Sequence, residues 1–242
     1  MSKQAQAKRA ARLEEAKREA EAAQRRRART MMAGVAGVLA LIVLLGFLVV
    51  RSMDDSKDVS AAPAGEGDHG VAIGDPDAPH QVVIYEDFLC PFCGDLEAAS
   101  RDDLAELAEA GKVYVEYRPF DLLSRISDYP IRATAAFAVV LEESGPEVAK
   151  EFHDLLFENQ PSEEGPFPED GELVDLAVEA GADRDAVAAG IEDLAGKDWV
   201  DEATRAASEA GVQGTPTVLV DGEVVQEGSM EDLADRIVEL VG

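Results

Sequence analysis

Residues 81–93 read QVVIYEDFLCPFC, and this stretch decides the fold. Gln81 to Tyr85 is short, apolar and rich in β-branched side chains, the pattern of a buried strand. It runs directly into Cys90-Pro91-Phe92-Cys93. Pro91 suits the first turn of a helix, where its missing N–H is not needed. Asp95 to Ala110 then reads as a helix, with Leu96, Ser100, Leu104 and Leu107 on one face and Gly111 closing it. Lys112 to Phe120 alternates as a second strand. The succession strand, C-x-x-C, helix, strand is a βαβ unit.

The two cysteines of this motif are the whole complement of the 242-residue chain. A structural framework normally uses more cysteines at wider spacing. A bridge across two residues constrains the unfolded chain little, so a redox pair is the better reading. A zinc site would need two further ligands. The histidines available are His69, His80 and His153, scattered singly. A cysteine attacks as its thiolate. Cys90 stands at the helix start, where free amides and the helix dipole favour negative charge. Cys93 lies one turn inside. Cys90 is therefore the attacking thiol and Cys93 the one that resolves a mixed disulfide.

Downstream, Pro130 to Ala210 is predominantly helical, with segments at Ile131–Glu143, Glu147–Glu158, Gly171–Ala180, Arg184–Leu194 and Asp198–Ala210. Trp199 and Phe152 read as core. Strand character returns at Thr217–Val220 and Glu223–Val225, joined by the Asp221-Gly222 turn. Ser229 and Asp232 cap a last helix, with Leu233, Ile237 and Leu240 inward. Ahead of the motif, Val71 to Ile73 is a short edge strand.

YEDFLCPFC, preceded by GDPDAP and followed far downstream by GTPTVLVDG, resembles the DsbA-like thioredoxin family of extracytoplasmic oxidoreductases. The likeness covers roughly Gly70 to Gly242. It implies a thioredoxin-like α/β fold with a helical insert at about 121–210. It also implies a cis bond at Thr215-Pro216 beside the redox pair, with the Thr215 backbone pairing with substrate like an added strand. Phe92, between the cysteines, cannot donate a hydrogen bond as a His there would, which implies a less extreme oxidant. It also serves as a surface hydrophobe for unfolded chains.

Many thioredoxin-like proteins carry a buried carboxylate six residues before the first Cys; here that position is Ile84. Glu86 shares strand parity with Ile84 and is the candidate proton-transfer group for Cys93. Asp87 caps or positions the turn. An ordinary loop acid is the alternative for each. As exposed groups, both would oppose the Cys90 thiolate through a salt-screened repulsion, so added salt should lower the Cys90 pKa.

The N-terminal part is organised differently. Residues 1–30 hold ten Lys/Arg against four Glu, net +6, and read as a basic cytosolic tail. Met31 to Val50 (31–50) is twenty residues without a charge, long enough for one transmembrane helix. The basic side precedes it, which places the N-terminus in the cytoplasm and the rest outside. A cleaved signal peptide is the rival; its apolar core would be shorter and its cleavage site closer. Residues 51–69 are small, polar and aperiodic, a flexible linker to the domain at 70–242. The total charge is -28, leaving -34 beyond the tail, a surface that repels nucleic acid.

These features define a membrane-anchored thiol–disulfide oxidoreductase. Its partners would be cysteine-containing secreted or envelope proteins and a membrane redox protein. No organic cofactor or metal is required, because the disulfide itself carries the electrons. Oxidation of folding proteins leads. A disulfide isomerase or reductase stands second, compatible with Thr215 before Pro216, and an inert tethered binding module third.

Overall fold

A computed structural model describes residues 69–242, so the basic tail, the membrane span and the linker up to Asp68 lie outside the described residues. Among the described residues no helix is long and apolar enough to cross a membrane. His69, the last residue of the linker reading, already packs its ring edge-on to Trp199 at 5.6 Å.

Strand β1 (Val71–Ile73) is followed by β2 (His80–Glu86), helix α1 (Pro91–Glu109) and β3 (Val113–Pro119). Five helices follow: α2 (Tyr129–Ser144), α3 (Pro146–Glu158), α4 (Asp170–Glu179), α5 (Arg184–Glu192) and α6 (Lys197–Glu209). The hairpin β4 (Thr217–Val220) and β5 (Glu223–Val225) and a last helix α7 (Met230–Val241) complete the chain. The sheet order is β1-β3-β2-β4-β5. Strands β2 and β3 are parallel, as a crossover through α1 demands. The other pairings are antiparallel. This is the thioredoxin-like arrangement, with α2 to α6 as the helical insert.

Strand β2 is buried on both faces, and its alternation sorts residues between two cores. Val82 and Ile84 join the larger one, with Leu96 and Leu104 of α1, Phe137 of α2, Phe152 of α3 and Ile237 of α7. Val83 and Tyr85 join the smaller one beneath Ala203 and Ala207 of α6. Trp199 is only half-buried and lies between the two. Ser229 caps α7 by accepting from the Asp232 amide.

Asp221 and Gly222 take φ of 51° and 82°, the geometry of a type I′ hairpin turn. The Asp221 carboxylate also meets the Gln81 amide and His80 Nδ1, each at 2.9 Å, and so ties the turn to the start of β2.

Helix α1 begins at Pro91, four residues before the sequence-based start at Asp95. The amphipathic pattern becomes visible only after the motif, whereas the first turn is set by Pro91. The thiols are thus carried by the helix end, as Pro91 and the cysteine spacing indicate.

Candidate active site

Cys90 is the N-cap residue of α1, in extended conformation, with Pro91 directly after it. An N-cap side chain faces the amides two and three residues on. Here those are the Phe92 and Cys93 N–H groups, and both favour a Cys90 thiolate. The strongest influence is the Cys93 thiol, which hydrogen-bonds to the Cys90 sulfur; burial opposes it, and a Thr215 side-chain hydrogen bond adds to it. Together they bring the Cys90 thiol down to about 6.

Cys93 behaves in the opposite way. Full burial, the hydrogen bond to Cys90 and the charges of Cys90 and Glu86 hold it well above the usual thiol range. Both thiols are free, so the structure shows the reduced pair. The two buried sulfurs are thus unequal: Cys90 is the acidic one and Cys93 the one held protonated.

The loop before β4 closes over the pair. Thr215-Pro216 is cis, and the Cys90 thiol donates to the Thr215 carbonyl at 3.3 Å. A second cis bond, Gly165-Pro166, lies in the insert; nothing in the sequence reading pointed to it. Phe92 is 59% exposed. It borders a groove of about 710 Å³ that Asp95, Met230, Glu231 and Asp235 also line.

The two acids before the motif are buried, which corrects the expectation that they are exposed and screened by salt. Asp87 is a loop fastener. Its carboxylate accepts from the Leu89 amide at 2.8 Å, Leu122 at 2.8 Å and Leu123 at 2.9 Å, joining the cysteine loop to the chain after β3. Burial nonetheless raises its carboxyl to about 6, against those three hydrogen bonds. Glu86, facing the larger core as its parity with Ile84 requires, hydrogen-bonds to His153 Nε2 on α3.

Three side chains around the motif, Gln160, Glu97 and His153, were given no place in the redox site by the sequence. Gln160 donates to the carbonyls of Phe88 at 3.0 Å and Cys90 at 2.9 Å, bracing the motif from outside. Glu97 lies fully buried on α1, one turn after Cys93. His153 is fully buried between two carboxylates, with Asp154 2.9 Å from its Nδ1. Burial works against an imidazolium there, but the Glu86 charge and the hydrogen bonds that His153 donates to Asp154 and Glu86 raise it to about 9.

The zinc reading of the cysteines is not assembled. His80 pairs with Asp221, His69 packs on Trp199, and His153 belongs to the Glu86 cluster. Glu86, Glu97 and His153 bring one ligand atom each to within 4.8 Å of one another, the one such group among the described residues. A cation there would have to displace the Glu86–His153 hydrogen bond.

Fold and site together define a thioredoxin-fold protein that carries a thiol–disulfide exchange pair. A family model described as thioredoxin matches residues 66–239. The reduced DsbA of Mycobacterium tuberculosis is 30% identical, with a TM-score of 0.60 over 73% of this chain and 93% of that one. A probable disulfide bond formation protein D of Bacillus cereus is 24% identical over 85% of this chain and 95% of that protein. A Na(+)/H(+) antiporter, NhaA 3 of Salinispora tropica, is 28% identical over 81% of this chain, which spans a quarter (25%) of the antiporter's length. The chain belongs to the thioredoxin family, as a DsbA-like thiol–disulfide oxidoreductase.

Proposed function

We propose that this protein is an oxidase of folding proteins, held by an N-terminal anchor at 31–50 with residues 70–242 outside the cytoplasm. One observation carries the direction: the Cys90 thiol is lowered to about 6 while Cys93 is raised. A stabilised thiolate favours the reduced pair, so the disulfide is oxidising. A substrate thiolate attacks Cys90, Cys93 leaves, and a second substrate thiolate then displaces Cys90. The Thr215 backbone aligns the substrate strand, and exposed Phe92 receives apolar side chains. Substrates are cysteine-containing secreted or envelope proteins, and a membrane redox protein reoxidises the pair. The anchor rests on the uncharged run and the basic residues before it.

Alkylation trapping of Cys90 and Cys93 in intact cells tests the direction. An oxidase is recovered mainly as the disulfide; recovery mainly as free thiols favours an isomerase or reductase, the reading that Thr215 before Pro216 would suit. Protease added to spheroplasts tests the orientation, because it should digest residues beyond about Ser52 and spare the basic tail.

A further inference from the structure

A second group of chemistry-bearing side chains lies in the core, where β2, α1 and α3 meet. Glu86, Glu97 and His153 come one from each element, and none is more than 1% exposed. One ligand atom of each lies within 4.8 Å of the others. His153 Nε2 hydrogen-bonds to Glu86, and Nδ1 lies 2.9 Å from Asp154. Glu97 has no such partner: neither of its oxygens accepts a hydrogen bond, and Arg101 Nε stands off at 3.7 Å. The Tyr117 hydroxyl on β3 is buried and unpaired as well, on a ring 4.8 Å from that of His153. Buried polar atoms are ordinarily paired, and a carboxylate without a partner is a costly exception.

The chemistry of this group matches a divalent cation. The donors are two carboxylates and an imidazole, a set that suits zinc. Asp154 takes the outer position. By accepting from Nδ1–H it fixes the tautomer that turns the Nε2 lone pair toward the glutamates. The charges also fit. Glu86, Glu97, Asp154 and Glu158 face the fixed cations Arg101 and Lys150, with Arg101 bonding Glu158 and Lys150 bonding Asp154, each at 2.5 Å. With a neutral imidazole this leaves an excess of two negative charges, which one divalent ion cancels. Charge buried this deeply needs such compensation.

We infer that Glu86, Glu97 and His153 bind a structural zinc ion, which fastens the helical insert to the sheet and to the helix that carries the thiols. The ion takes the place of the proton that His153 Nε2 donates to Glu86, and that proton passes to water. Ligand atoms about 2.1 Å from zinc lie about 3.4 Å apart in a tetrahedron. Glu86 and His153 therefore part slightly and Glu97 closes in, a movement that no hydrogen bond of Glu97 resists. The Tyr117 hydroxyl is the neighbouring group that can hold a water in the fourth position. The ion takes no part in thiol exchange, so the inference goes beyond the redox reading and stands apart from it.

The test uses the full chain in detergent, with Cys90 and Cys93 oxidised to the disulfide so that no thiolate competes for metal. The protein is stripped with a chelator, titrated with Zn2+ against a chromophoric competitor, and assayed for metal after gel filtration. Wild type should retain one zinc per chain, and its thermal midpoint should rise when zinc is added. Glu97→Gln should weaken binding by more than about a hundredfold, and Asp154→Asn by about tenfold to a hundredfold, the range for an outer carboxylate. Co2+ in place of zinc should give the visible bands of a four-coordinate ion in wild type and not in Glu97→Gln. Glu97→Gln removes a charge that the metal-free core leaves unpaired, so it should melt cooperatively; if it does not, the affinity of Asp154→Asn decides. A wild type that retains no zinc would overturn the inference, as would weak binding of several ions that Glu97→Gln leaves unchanged. Zinc held only by the reduced protein and lost in Cys93→Ala would place the ion on the thiols and overturn it equally.

Discussion

The Cys90 sulfur lies 3.3 Å from the Thr215 carbonyl although 125 positions separate the two residues. Helix α1 supplies one side of this contact and the turn before β4 the other. They meet because β4 pairs antiparallel with β2, so that Tyr85, just before the motif, faces Thr217, just after Pro216. The sheet register thus sets the Thr215 backbone beside the Cys90 sulfur.

The two sulfurs should not be interchangeable. Cys93→Ala should accumulate mixed disulfides with substrate proteins through Cys90, whereas Cys90→Ser should accumulate few. Non-reducing gels after acid quenching show the species. Equal trapping by both variants would contradict the asymmetry between two buried thiols, one lowered to about 6 and the other held high.

The thiolate absorbance of the reduced protein should titrate with a midpoint near pH 6 and move little between low and high salt. The acids nearest the motif are buried, where counterions screen them poorly. The sign for stability follows from a depressed thiol. Cys90 stabilises the reduced fold fully above the free-thiol value of about 8.5, and that contribution is lost as pH falls through about 6. Denaturant melts of reduced and oxidised protein from pH 5 to 9 measure it. A midpoint that drops by a unit with salt would restore the picture of exposed acids.

Much of this arrangement was legible in the sequence, and the gaps have physical causes. The β-branched run at 81–85, Pro91 and the cysteine spacing are local signals, so the βαβ unit and the placement of the thiols at the start of α1 could be read directly. Parity placed Glu86 on the core side because a strand has a fixed period of two. The resemblance supplied the cis bond at Thr215-Pro216. What could not be read was long-range. A glutamate on an amphipathic helix reads as solvent-facing, yet Glu97 falls within the buried stripe of Cys93, Ser100 and Leu104. His153 meets Glu86 across 67 residues, and Gln160 reaches Cys90 across 70. No local pattern marks either one.

Gln160 and Gly94 form a matched pair. A Cβ on Gly94 would come within 2.5 Å of Gln160 Oε1, so the glycine keeps space for the amide that holds the motif. Gln160→Ala leaves two partly buried carbonyls with fewer partners and should destabilise the domain by about 1–2 kcal/mol. Gly94→Ala should cost a similar amount in wild type and less when combined with Gln160→Ala. Urea melts of the four proteins form the cycle. Strict additivity would show that the two sites do not share space.

Asp87→Asn should be more damaging. One Asp87 oxygen serves Leu89 and the other serves both Leu122 and Leu123, so an amide nitrogen at either place opposes an N–H. A loss of about 3 kcal/mol is expected. The pH dependence has a definite sign. With a folded value near 6 against about 3.9 unfolded, Asp87 contributes stability fully below about pH 4, and this is lost as pH rises through 6. The variant should lack that component. An equally steep decline in Asp87→Asn would assign it elsewhere, with Glu97 the next candidate because it is raised in the same way.

The reduction potential of the Cys90–Cys93 pair, measured by equilibration with glutathione at pH 7, tests the central claim most directly. The account predicts a value above about -270 mV, that of thioredoxin, and below about -120 mV, that of the strongest oxidant of this kind. A Cys90 thiolate stabilised by Cys93 and the α1 amides pushes it upward, and Phe92 between the cysteines keeps it from the extreme. A value at or below about -270 mV would contradict the oxidase assignment and leave a reductase in its place.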